Sequence, residues 1–223
     1  MKTMDINMQT PLLEVRQLEL SFQEKVLLSD LNFSLRPGQK ISVQGKSGSG
    51  KSTLLKCILG FTPPKSGSVL FAGEELSASN IWTVRRRIGY VPQEPDLGDL
   101  EVSVFLEKPY HYKANQSRSL DRSRLVELFE AFHLEPELLH KSSRLLSGGE
   151  KQRIALISAL LLKRELYLFD EATSALDVET RLAVVEYLRA QEYLTALFVT
   201  HDQDLLALSS EVLTIGNNRN VER

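Results

Sequence analysis

The stretch Gly45-Lys46-Ser47-Gly48-Ser49-Gly50-Lys51-Ser52, followed by Thr53-Leu54-Leu55, restricts this chain more than any other part of it. It satisfies G-x-x-x-x-G-K-[ST], a pattern whose physical meaning depends on a strand before it and a helix after it. Both are predicted. Lys40-Ile41-Ser42-Val43 reads as a short strand entering the loop. Ser52 to Leu59 reads as a helix with apolar residues at 54, 55, 58 and 59, stopped by Gly60. Glycines at 45, 48 and 50 let successive backbone N–H groups turn inward around a chain of phosphates. The helix aims the positive end of its dipole at the same point. Lys51 is placed to reach the β- and γ-phosphates, and the Ser52 hydroxyl to ligate Mg2+. A Gly/Ser-rich flexible linker would lack the flanking strand and helix, so the stretch implies binding of a nucleoside triphosphate.

Composition removes several other classes. At 223 residues, with 42% apolar and 25% charged residues, the chain suits one α/β domain with a substantial core. A net charge of −2 provides no basic footprint for nucleic acid, and the one local cluster, Arg85-Arg86-Arg87, reads as a solvated face. A single cysteine, Cys57, excludes an intrachain disulfide and a cysteine-based zinc site, and it falls on the apolar side of a helix as a packed thiol. No apolar run reaches the roughly 18 residues of a membrane span. Met1-Lys2-Thr3-Met4-Asp5 lacks the apolar core of a signal peptide, so the expected location is the cytoplasm, where ATP is available.

Residues 12 to 43 read as a β-rich opening. Leu18, Leu20 and Phe22 alternate with Glu19 and Ser21, Leu31 to Leu35 repeats the pattern, and Arg36-Pro37-Gly38-Gln39 turns before the strand that enters the loop. Further strands are expected at Ser68–Phe71 and Ile88–Val91. From Glu94 to about Leu146 the texture becomes helical, with Leu125, Leu128, Phe129 and Phe132 on one face of a helix running from Ser119 to His133. Tyr110-His111-Tyr112, within this insertion, suits packing or partner contact. After Gly148 a helix, the strand Leu166–Phe169, a helix from Val178 to Arg189 and the strand Leu197–Thr200 follow. Such alternation argues for a mostly parallel sheet covered on both faces.

Four apolar residues run into Asp170-Glu171, which puts two carboxylates at the carboxyl end of a buried strand, where open α/β sheets hold their ligands. Asp170 is expected to hold Mg2+ directly or through water, and Glu171 to act as the general base on the attacking water. Gln93 ends another strand, where a neutral amide can touch Mg2+ or water without adding charge. His201 ends a third, placed to hydrogen-bond the γ-phosphate. His111, His133 and His140 have no such placement. Leu146-Ser147-Gly148-Gly149-Glu150-Lys151-Gln152-Arg153 is a second anion-binding helix start about a hundred residues after the first, with Ser147 as N-cap. On these residues alone it could serve the same triphosphate or that of a partner.

These motifs, in this order and spacing, resemble the ATP-binding subunits of ABC transporters over about residues 12 to 215. The matching pieces are the Walker A loop at 45–52, the Q-loop at Gln93, the L-S-G-G-E signature at 146–150 and Walker B at 166–171. The D-loop Ser174-Ala175-Leu176-Asp177 and the H-loop His201 complete the set. Phe22 stands where an aromatic, commonly Tyr, stacks on adenine, and Lys151 where Gln is frequent. The resemblance implies an α/β fold over 1–223 as a single domain: a P-loop NTPase (RecA-like) parallel-sheet core, an N-terminal antiparallel β subdomain and a helical subdomain inserted at about 94–146. It implies a hydrolysing ATPase that uses Mg2+. A head-to-tail dimer with a second copy would place Ser147, Gly148, Gly149 and Asp177 on the partner's ATP. A separate membrane permease would hold the protein at the inner face of the cell membrane. The wording around the signature is similar to a group linked to iron export. Against a non-transport ABC clamp stands the lack of room for coiled coils or a second cassette. The signature and Glu171 stand against a P-loop kinase.

Overall fold

The structure is a computed structural model that describes residues 10–23 and 25–216; the Met1–Asp5 stretch read for a signal peptide lies outside these. The first element is a strand, β1 (Leu13–Phe22), whose buried side changes phase part of the way along. Leu13 and Val15 are buried at odd positions, and Leu18 and Leu20 at even ones. The switch falls at Gln17, whose φ of 45° marks a β-bulge. Gly67 lies opposite because a Cβ there would come within 2.2 Å of the Gln17 carbonyl oxygen.

In chain order there follow β2 (Lys25–Leu35), β3 (Lys40–Gly45), α1 (Lys51–Ile58), β4 (Ser66–Phe71), β5 (Glu74–Glu75), α2 (Ile81–Arg85) and β6 (Ile88–Val91). The rest are α3 (Val102–Glu107), α4 (Arg122–Ala131), α5 (Gly148–Leu161), β7 (Leu166–Asp170), α6 (Val178–Ala190), β8 (Ala196–Val199), α7 (Gln203–Leu206) and β9 (Glu211–Ile215). One sheet is antiparallel with order β2-β1-β4-β5, and the other is parallel with order β6-β7-β8-β3-β9.

The core divides along the two faces of the parallel sheet. Leu166, Leu168, Leu197 and Val199 join Leu54, Leu55 and Ile58 of α1 and the inner face of the antiparallel sheet. Tyr167, Phe169, Ala196 and Phe198, one residue out of phase, join α5, α6 and the helical insertion. Phe169 stacks between Tyr167 and Phe198 at 5.9 and 5.2 Å. Both faces being covered, β7 and β8 are buried at every position, which is why they read as continuous apolar runs. Cys57 packs in the first cluster, where burial pushes its thiol up to about 11.

Two expectations need correction. The helix expected over 119–133 starts later and ends earlier, because Asp121 caps it by accepting from the Arg124 N–H and His133 turns to a φ of 51°. The rest of 94–146 is α3 and four short 3-10 turns, with one bridge from Glu101 to Ser142. The Arg85–Arg87 cluster is no simple solvated face. Arg85 donates to the carbonyls of Leu59 (2.7 Å) and Gly60 (3.2 Å) and lies over the rings of Phe61 and Trp82. Arg87 makes a two-pronged bond to Glu165, 2.7 Å on each side. Carbonyls left orphaned at the end of α1 and a carboxylate beside β7 recruit these guanidiniums; Arg86 alone is solvated.

Candidate active site

A helix start with no side-chain cap leaves its first amides unpaired. Asp121, Ser147, Asp177 and Asp202 cap α4, α5, α6 and α7. The N-cap of α1 is Gly50, at a φ of 100° and with no side chain to offer, so the first-turn amides are free for an anion. Lys51, almost wholly buried, meanwhile donates from Nζ to the carbonyl oxygens of Gly45 (2.6 Å) and Lys46 (3.3 Å).

The strand order brings distant carboxylates to this point. Ser52 Oγ donates to Asp170 Oδ1 at 3.1 Å. Glu171 stands between two donors, with Lys51 Nζ 3.9 Å from Oε1 and Gln93 Nε2 3.1 Å from Oε2. Its backbone has a φ of 48°, held by its N–H bond to Val199 O at 2.8 Å; such a conformation is uncommon away from glycine and concentrates at functional sites. Lys51, Ser52, Gln93 and Glu171 border a cleft of about 510 Å³. Ser47, Gly48 and Gly50 to Thr53 line it from the loop, Phe22 and Leu27 from the antiparallel sheet, and Gln93, Glu171 and His201 from the ends of β6, β7 and β8. Phe22 is 64% exposed, an apolar ring left open at the mouth.

Other expected site residues lie behind or beyond the cleft. Gly45 packs against β9, where a Cβ would meet Ile215 O at 2.3 Å. Lys46 is exposed and Asp170 lies buried behind Ser52. Ser49 Oγ is buried and has no protein partner. Ser147, Gly148, Gly149 and Asp177 do not line the cleft. Ser147 and Glu150 form a capping box, and Gly149 faces Ala175 O at 3.1 Å from its virtual Cβ, so signature and D-loop adjoin each other instead.

Sequence reasoning missed six contributors. Leu27 lines the cleft beside Phe22. Tyr90, opposite Leu168 on β6, shares a sheet face with Asp170, and burial together with that carboxylate pushes its phenol up to about 12. Thr173 donates to Asp202 at 3.0 Å, and Asp202 in turn takes the guanidinium of Arg181 at 3.4 Å, bracing the turn that carries His201. Gln152 ties α5 to Pro92. Of these, only Asp202 had a local signal, as the N-cap of α7.

The residues present fit Mg2+. Ser52 and Asp170 offer hard oxygen ligands, and the described residues hold no cluster of three or more His, Cys, Asp or Glu that would form a complete protein cage. A cation completed by substrate phosphates and water suits that arrangement. Burial, with help from the Glu171 carboxylate, raises the Asp170 carboxyl above its ordinary 3.8, while Ser52 and Lys51 pull it back. A folded-state value above the unfolded one means that ionised Asp170 destabilises the apo fold once pH rises through the folded value. Asp170→Asn is therefore expected to raise the apo Tm at pH 7, with no gain below the unfolded carboxylate range. Thermal scans at pH 3.5 and 7 check it; equal Tm changes at both would refute the burial argument.

The sequence profile described as ABC transporter matches residues 28–174. The chain is 36% identical over 210 residues to the probable iron export ATP-binding protein FetA of Escherichia coli (strain K12), covering 92% of each. It is 34% identical over 213 residues to the energy-coupling factor transporter ATP-binding protein EcfA1 of Streptococcus sanguinis (strain SK36), covering 92% of this chain and 76% of the relative. Among solved structures, the dimeric post-hydrolysis ATP-binding cassette MJ0796 bound to ADP and Pi superposes with a TM-score of 0.75 at 25% identity, over 91% of this chain and 94% of that one. With its phosphate loop, paired carboxylates and signature in one fold, this chain belongs to the ABC transporter family, among its ATP-binding subunits.

Proposed function

We propose that this chain hydrolyses ATP in a head-to-tail pair with a second copy, and that the closing and opening of the pair drive a separate membrane permease. The observation that carries this reading is the composition of the cleft: Lys51, Ser52, Gln93, Glu171 and His201 meet there, and Ser147 to Gly149 do not. One chain thus holds half of an anion site, and its uncapped α1 awaits a second helix start, which a partner's α5 would supply. The dimeric cassette bound to ADP and Pi is a fold relative with that stoichiometry. A triphosphate that contacts both copies favours the closed pair, and its hydrolysis removes the preference.

Lys51 exchanges its two loop carbonyls for phosphate oxygens, which frees Glu171 from its nearest cation. Glu171 then accepts a proton from the attacking water, the Gln93 amide orients that water, and His201 donates to the γ-phosphate. Ser52 and Asp170 would hold Mg2+, with Gln93 beside it, and the cation would supply charge neutralisation to the phosphates. Phe22 stacks on adenine.

No helix among the described residues is long and apolar enough to cross a membrane; in this reading a separate permease spans it. A groove of about 280 Å³ beside Gln93, lined by Pro92, Pro95, Leu97 and Phe105, is the seat we assign to it. There the helical segment meets the end of β6, and motion of Gln93 reaches the permease. The near full-length likeness to FetA favours metal export as the task. Affinity purification of the tagged chain from its native membranes is the test: a polytopic membrane protein should co-purify, and Phe105→Asp should reduce its yield about tenfold or more. ATPase activity stimulated by nucleic acid, with no membrane partner, would favour a non-transport clamp instead.

A further inference from the structure

Two neighbouring side chains hold the start of α5 from different directions. Arg153 donates to the main-chain oxygens of Phe132 (2.9 Å) and His133 (2.8 Å) at the end of α4, and to Gly149 O at 3.3 Å. Gln152, with no exposed surface, donates from Nε2 to Pro92 O at 3.3 Å, just past β6. Its Oε1 is buried and has no partner. The first grip is charge-assisted and shared among three carbonyls, whereas the second is a single long bond between neutral groups. An apolar residue of the same length would avoid the desolvation cost of that unpaired oxygen. Retaining an amide here makes physical sense if Oε1 is paired in another state of the protein.

The chain places one candidate donor within the same peptide stretch. In an extended segment the carbonyl of one residue and the N–H two residues on point to the same side, the pairing used in parallel ladders. For Pro92 O that N–H belongs to Glu94, and the two groups point the same way once Gln93, the residue between them, becomes extended. Between the two lies Gln93, whose amide holds Glu171. Gln152 itself sits one turn past Ser147 to Gly149 on α5.

From this we propose that Gln152 is a positioning residue that links the state of Gln93 to the angle of the signature helix. When ATP draws Gln93 toward the phosphates, the segment extends and the Glu94 N–H pairs with Gln152 Oε1, completing a two-bond clasp. The clasp holds the N-terminus of α5 in the pose that the partner's nucleotide requires. Without ATP only the Pro92 bond remains, and α5 follows the α4 end through Arg153. The inference rests on the shared-site reading above.

The test uses Glu171→Gln protein, with and without Gln152→Met, which matches the side-chain length and removes both hydrogen bonds. Sedimentation across an ATP titration should show the double variant needing about tenfold more ATP for half-maximal dimerisation, the value of one buried hydrogen bond. Capture of a fluorescent ATP analogue by the monomer should be unchanged. Hydrogen exchange at the Glu94 amide should slow on adding ATP to Glu171→Gln and should not slow in the double variant, a response that a merely structural role would not produce. Unchanged dimerisation in the double variant, or a Glu94 amide indifferent to ATP, overturns the proposal. If Gln152→Met does not fold, exchange in Glu171→Gln alone decides. If Glu171→Gln itself stays monomeric at saturating ATP while binding the analogue, the shared-site reading fails first and the clasp with it.

Discussion

Glu171→Gln should bind ATP, turn it over about a thousandfold more slowly, and accumulate as a dimer, because the substitution removes the proton acceptor while keeping the shape of the site. The carboxylate is well placed for this role: it ends β7 next to Asp170, and Lys51 and Gln93 hold its two oxygens. Lys51 donates to the Gly45 and Lys46 carbonyls and not to residue 171, so loop geometry and nucleotide capture should survive the change to glutamine. Hydrolysis then no longer removes the preference for the closed pair, and the dimer persists until ATP dissociates. Single-turnover phosphate release and size-exclusion chromatography with Mg-ATP measure the two effects. A variant that kept full turnover would transfer the role of base to another residue.

Mixing two inactive variants should restore activity, and this distinguishes a shared site from a self-contained one. Lys51→Met removes the phosphate contact of the loop. Gly148→Asp places a carboxylate at the signature helix start, and the added Cβ meets only the Ala175 Cβ at 4.0 Å, so folding is spared. An Asp in the first turn even complements the helix dipole, which keeps the lesion electrostatic and directed at the incoming phosphate. Each variant alone should lose about a hundredfold or more in turnover, as removal of a main electrostatic contact does. In an equal mixture half of the dimers are mixed, and each mixed dimer has one intact site and one doubly damaged site. With independent sites, the mixture should recover about a quarter of the wild-type rate. A site built within one chain would recover nothing.

Local residue patterns went far here because each reports on the backbone immediately around it. The loop at Gly45 to Ser52 sits between β3 and α1 as its glycines and flanking apolar runs demand, and Ser147 caps α5 as its place before Gly148-Gly149 implies. The continuous apolar runs at 166–169 and 197–199 are buried on both faces, since a covered parallel sheet has no polar side. Period-2 alternation failed at β1, where the bulge at Gln17 shifts the phase and hides Leu13 and Val15 from a reading that begins at Leu18. Charge counting failed at Arg85 and Arg87, whose partners are orphan carbonyls and a carboxylate distant in sequence.

The residue type of each group and its place at a strand or helix end were set by the amino-acid sequence alone: a Gly-rich loop before a helix, two carboxylates, an amide, a histidine and a second helix start capped by Ser147. Which of these meet was decided only in three dimensions. The order β6-β7-β8-β3 brings Gln93 to Glu171 across 78 residues of chain, and Ser52 to Asp170 across 118. The same packing sets Ser147 to Gly149 against the D-loop, outside the cleft. Adjacency of this kind comes from burying two apolar faces of one sheet at once. That is a property of the whole chain and leaves no mark on any single stretch of it.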